Sequence, residues 1–240
     1  STHCISSAAS DVYKRQGLML GVGAATQYTI ARAQNDRRQA DSVFTHAAAL
    51  GLLLGLLFLL GGLCFAKPLA GLLGADAQTL GMTTTYLRML WCFGPFFVMN
   101  NVLLAFTRND GAPTVAMCGM IAGSLFNIVF DYIFIFPCGL GMFGAALATG
   151  FSPFVSILVL LTHLRRPSRG FHLVKTPLRV SRVPSLCAPG LSSLIGEIAS
   201  GVVLLLFNLV LLRLSGNTGV AAYGVVANLC LLYTSRAHET

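Results

Sequence analysis

An all-α polytopic membrane bundle is the fold that the sequence predicts, and three observations predict it. Of the 240 residues, 55% are apolar and only 10% are charged, against roughly 25% charged in a soluble domain. The mean hydropathy is +0.75. The basic residues fall mainly in short gaps between long apolar runs. Such a chain carries too little charge to cover a water-facing surface or to stay disordered. No strand alternation is sustained along it, so a barrel is excluded and helices must satisfy the backbone in lipid. The net charge of +8 sits where membrane topology wants it, and it does not point to nucleic acid.

The elements follow in order. Ser1–Gln16 is polar and mixed. It lacks the basic-then-apolar order of a signal peptide. With residues 233–240 it reads as a non-native or disordered tail. Residues 17–31 are the end of a span, and residues 43–66 are long enough to cross about 30 Å of hydrocarbon. A span at 83–106 holds Gly94-Pro95, which predicts a kink. The turn at Arg108–Pro113 leads to spans at 114–136 and 143–164. Residues 188–212 form a further run, and 220–232 one that is short. The whole reads as about six full spans and two partial ones. Residues 17–164 form one set of helices, 165–186 a basic linker, and 187–232 the start of a second set.

Alternate loops carry Arg32, Arg37 and Arg38, then Arg108, then Arg165, Arg166, Arg169, Lys175, Arg179 and Arg182. The opposite loops have only Lys67, Arg88 and Arg213 near them. The first set should therefore face the cytoplasm, with the linker lying on an anionic leaflet of the bilayer. His46, Trp91, Tyr132 and Phe136 read as interface residues. The seven cysteines are scattered singly, without metal spacing or a CxxC pair, and read as inert thiols.

Two carboxylates lie inside apolar runs, where a charge costs a few kcal/mol even on lenient scales. Asp131 follows Asn127 by four residues, so both share a helix face. Thr149 on the next span can add a hydroxyl. Carboxylate, amide and hydroxyl oxygens make a pocket for a hard cation. Equally, a buried carboxyl can carry a proton, or Asp131 can bond to Asn127 merely to pin two helices. Glu197 is the second acid, flanked by Ser192, Ser193, Gly196, Ser200 and Gly201. Small neighbours allow close helix approach or room for water. Glu197 therefore suits a moving, proton-linked helix or a watery cavity without a cycle. Gln27, Asn100 and Asn101 either line a substrate cavity or bond across helices. No cofactor or structural metal is expected, apart from Na⁺ at Asp131.

Enzymatic chemistry finds no footing. The histidines lie outside the apolar interiors or at their ends, as His163 does, and there is no HExxH. A channel would want rings of like charge or a carbonyl filter, and neither is present.

The stretches FTRNDGAPTVAMCGMIAGSLFNIVFDYIFIF (106–136) and GLGMFGAALATG (139–150) resemble the multidrug and toxic compound extrusion (MATE) transporters. GLMLGVGAATQYTIARAQ (17–34) is similar to the family's second helix and APGLSSLIGEIASG (188–201) to its seventh. The resemblance implies twelve helices in two lobes, here helices two to seven and part of eight. It implies export of drugs or organic cations across the plasma (bacterial inner) membrane, driven by Na⁺ or H⁺. It places Asn127, Asp131 and Thr149 on the cation site of the amino-terminal lobe, Glu197 on the acid of the seventh helix, and the linker at the cytoplasmic inter-lobe connection. A first helix, which in many members brings a further acid to the cation site, has no counterpart here. Half a set of repeats cannot enclose the cavity around which alternating access rocks, so these residues alone are not expected to transport. A flippase for lipid-linked precursors or polysaccharides is the alternative. Its anionic substrates would want a cationic cavity, and the spans hold almost no Lys or Arg. A non-transporting membrane scaffold is the other. The oligomeric state is left open.

Overall fold

The structure is a computed structural model that describes residues 2–72, 80–164, 170–177, 183–192 and 194–196, with isolated positions 199, 202, 203, 206 and 210. The described residues form helices and connecting segments, with no strand among them. The helices are α1 (Thr2–Ala33), α2 (Arg37–Leu72), α3 (Leu80–Cys92), α4 (Gly94–Asn109), α5 (Pro113–Ile135), α6 (Gly141–Leu164) and the short α7 (Val183–Cys187), which runs into a 3₁₀ turn at Ala188–Gly190. The protein is an all-α membrane helical bundle.

Long apolar sequence makes the long helices. Arg37–Pro68, Pro113–Ile135 and Phe143–Leu164 are each long and apolar enough to cross a membrane. Thr84–Cys92 and Gly94–Asn109 make a fourth crossing if counted together, bent by 48° at the break. The kink expected at Gly94-Pro95 is thus a real break. Pro95 has no N–H to give to the preceding turn, and a proline fits best in the first turn of a helix, where α4 places it. Phe93 sits between the two helices with φ −86° and ψ 2°, and its carbonyl accepts from the N–H groups of Phe96 and Phe97. The run at 220–232 lies outside the described residues, and only scattered positions of the run at 188–212 lie within them.

Residues 2–16 are helical and continuous with 17–33, where a separate tail was expected. Extending a helix that is already nucleated costs little, because each added residue gains a hydrogen bond. His46, expected at the interface, is instead 3% exposed and bonds through Nδ1 to the Ser42 carbonyl at 2.7 Å. A ring nitrogen satisfied by its own helix can be buried.

One compact unit spans Thr2–Ile195, and a second holds Ser1 with residues 196–240. The first unit therefore continues past residue 164 and takes in the described parts of the linker, because these pack back onto it. Phe171 is fully buried in an aromatic cluster with Tyr28, Phe44 and Phe106. The backbone N–H groups of His172 and Val174 donate to Asp41 Oδ1 at 3.0 Å and Thr45 Oγ1 at 3.1 Å. Leu20, Val102 and Leu160 extend this core. The outward faces of α2 (Leu53, Leu57, Leu60) and α5 (Ile121, Leu125, Ile128) stay more than half exposed, as surfaces that meet lipid do.

Candidate cation-coupling site

The site is built on the α5–α6 pair. Ala116, Gly119 and Gly123 form the buried stripe of α5, with Asn127 on the same stripe one turn beyond Gly123. A Cβ on Gly123 would lie 3.0 Å from the Ser152 carbonyl oxygen, and Ser152 Oγ donates to the Gly123 carbonyl at 2.9 Å. Absent side chains thus let the two backbones approach, as small residues do between membrane helices. That approach brings Asn127 to Thr149. Asn127 Nδ2 donates to Thr149 Oγ1 at 3.3 Å, which leaves the amide carbonyl oxygen for another partner. Asp131 sits one turn beyond Asn127 on α5, partly buried, with Oδ1 removed from solvent. The amide and the hydroxyl meet where the two helices touch, with the carboxylate one turn farther along α5. Hard oxygens at such a contact can take up a small cation or a proton.

The other expected residues are placed differently. Asn101 packs at the α1–α4 contact, where a Cβ on Gly17 would lie 3.1 Å from its Nδ2 and one on Gly21 3.0 Å from its carbonyl oxygen. Asn100 has a buried Oδ1 without a hydrogen-bond partner among the described residues. Gln27 is partly buried on α1. Glu197, with Ser193, Ser200 and Gly201, lies outside the described residues.

A second polar cluster carries no mark in the sequence. The Asp110 side chain, 1% exposed, accepts from the Tyr28 hydroxyl, from His163 Nε2 at 2.8 Å and from Arg32 at 3.4 Å. It therefore ties the ends of α1, α4 and α6 together. Gly111, with φ +79°, turns the chain immediately after it. This is the end of the bundle that carries Arg32, Arg37, Arg38 and Arg108.

The MatE family model matches residues 16–133. The multidrug export protein MepA of Staphylococcus saprophyticus is 31% identical over 211 residues, covering 87% of this chain and 47% of that protein. The protein of the same name from Staphylococcus aureus is 30% identical over 214 residues, with the same shares covered. The chain thus spans about half the length of the curated relatives it matches. A multidrug resistance MATE family transporter of the MOP superfamily, solved in an inward-facing conformation, superposes with a TM-score of 0.81 at 25% identity, over 95% of this chain and 54% of that one. In sequence and in fold the chain is similar to the MATE transporters.

Proposed function

We propose that these residues supply the ion-coupling helices of a multidrug antiporter in the plasma membrane, with the basic linker on the cytoplasmic side. The observation that carries the reading is the Asn127–Thr149 contact with Asp131 one turn away. The naming of the MepA relatives as multidrug export proteins supports it. Na⁺ or a proton at Asp131 neutralises a carboxylate that is poorly hydrated, and this favours one arrangement of the transporter. Drug favours the other. Each ligand moves the equilibrium only by its difference in affinity for the two states. The described spans hold no Lys or Arg in their interiors between residues 43–66 and 113–164, which suits organic cations better than the anionic cargo of a flippase.

The test is Asp131→Asn in the full-length transporter that this reading requires. Ethidium efflux from everted vesicles, driven first by a pH gradient and then by a Na⁺ gradient, should lose its dependence on whichever gradient drives the wild type, at unchanged expression. Wild-type efflux in the variant overturns the reading. Asp131→Asn keeps the shape of the side chain, so a simple packing defect is not the expected cause of a loss.

A further inference from the structure

Thr149 has a neighbour whose side of α6 faces the broken span. Gly150 is buried, and a Cβ placed on it would overlap the Phe93 ring. Phe93 is the residue at the 48° break between α3 and α4. Its ring also meets Phe151 with centroids 5.1 Å apart, and Phe96 meets Phe154 at 5.8 Å. The break with the first turn of α4, and α6, thus each present two rings three residues apart. The four rings line a wholly apolar cleft of about 110 Å³, open to the outside where Phe96, Phe151 and Phe154 are exposed. The cleft gives the Phe93 ring somewhere to go when the bend changes.

We infer that Phe93 is a positioning residue for the Asn127–Thr149 contact: its ring, seated in the notch at Gly150, ties the α3–α4 bend to the turn of α6 that carries Thr149. A helical turn moves as a rigid piece, so pressure at Gly150 displaces Thr149 against α5. Packed interfaces tend to have discrete arrangements rather than to yield continuously. The bend and the site then change together. The inference rests on the cation-coupling reading for its use, but not for its geometry.

The test separates the two. In the full-length protein, with its other cysteines replaced by serine, the pair Asn127→Cys and Thr149→Cys is oxidised with copper phenanthroline and the rate of cross-linking is measured. Phe93→Ala, which empties the notch, and Gly150→Ala, which drives the ring out of it, should each change that rate by at least about threefold. The two combined should fall closer to wild type than either alone, because the added methyl occupies space that the ring has left; interacting sites show such non-additivity. A control pair, Thr29→Cys with Asn109→Cys on α1 and α4, whose native side chains lie 3.2 Å apart, should cross-link at its own unchanged rate. If Gly150→Ala does not insert, the series Phe93→Leu and Phe93→Trp replaces it, and the rate should follow ring volume. With Asn127 and Thr149 restored, Phe93→Ala should also shift the half-maximal pH or Na⁺ concentration for ethidium efflux by about threefold. Single variants that cross-link at the wild-type rate, effects that simply add, or equal changes in the control pair overturn the inference. The cross-linking result stands whatever drives efflux, whereas the efflux of Asp131→Asn decides the coupling reading.

Discussion

Asp110 takes its hydrogen bonds from far along the chain: Tyr28 is 82 residues away and His163 is 53. With the carboxylate almost fully buried, removing it strands a tyrosine hydroxyl, an imidazole and part of a guanidinium. Breaking one member out of a buried ionic cluster costs about 3–5 kcal/mol, and Arg32, which is partly exposed, contributes the least of the three. Asp110→Ala should therefore lower the midpoint of thermal unfolding in detergent far more than Asp36→Ala, an exposed acid at the start of α2. Equal midpoints would show that the cluster contributes no more than the helix cap that Asp36 makes by accepting the Gln39 N–H at 2.9 Å. The contrast with Asp131 shows what a sequence makes legible at this scale. An acid inside an apolar run stands out against its background, and Asn127 and Thr149 follow from helix period and from the neighbouring span. Asp110 lies in a polar turn, where an aspartate is ordinary, and nothing local announces that the turn folds inward over His163.

At the scale of the element, apolar run length located α5 and α6 to within two residues and the middle of α2, which extends past its apolar run at both ends, and Gly94-Pro95 located the break. Those features are set by local chemistry: lipid-compatible length and a missing N–H. The helical state of residues 2–16 has no such local signature, because their polar composition resembles a tail and only continuity with 17–33 extends the helix. The α5–α6 contact was legible only in outline. Small residues spaced along α5 mark a face for close approach, but the partner groups on α6, Ser152 and Ser156, become evident only in three dimensions. Gly123→Val should push the helices apart. Overpacking typically costs about 1–3 kcal/mol, and here it should also separate Asn127 from Thr149. Resistance of the α5–α6 pair in membranes to chymotrypsin, which cuts after the Phe and Tyr residues these helices carry, should fall, and ethidium efflux should fall with it; full resistance with full efflux would show that the helices can give way without loss.

Across the described helices, the turns that carry Arg32, Arg37, Arg38 and Arg108 lie at one end of the bundle. The ends of α1, α4 and α6 meet at Asp110, on the side with the arginine-bearing turns, and the turn between α5 and α6 lies at the other end of α5. Helix rise puts Asp131 about 27 Å along α5 from Pro113, near that far end. If the basic loops face the cytoplasm, Cys138, which is exposed in the α5–α6 turn, faces outward. A membrane-impermeant maleimide should label it in intact cells, and labelling only after the cells are opened would reverse the orientation. The linker was the least legible part. Its charge read as a basic connector lying on an anionic leaflet, yet Phe171 is an anchor buried in the helix core, and His172 and Val174 add backbone bonds that no composition reveals.

That anchoring changes what the basic stretch is mechanically. Val174 is held on α2, and α7, which begins at Val183, packs close enough to α1 that a side chain on Gly23 would overlap the Leu186 carbonyl. The described stretches on either side of residues 178–182 are therefore both fixed to the same body. Chain inserted between two points fixed on one body bears no tension between parts, and its length matters little: doubling a loop costs only about 0.6 kcal/mol in closure entropy. A reporter domain or an affinity tag spliced between residues 177 and 183 would ride on the helices without pulling on the Asn127–Thr149 contact.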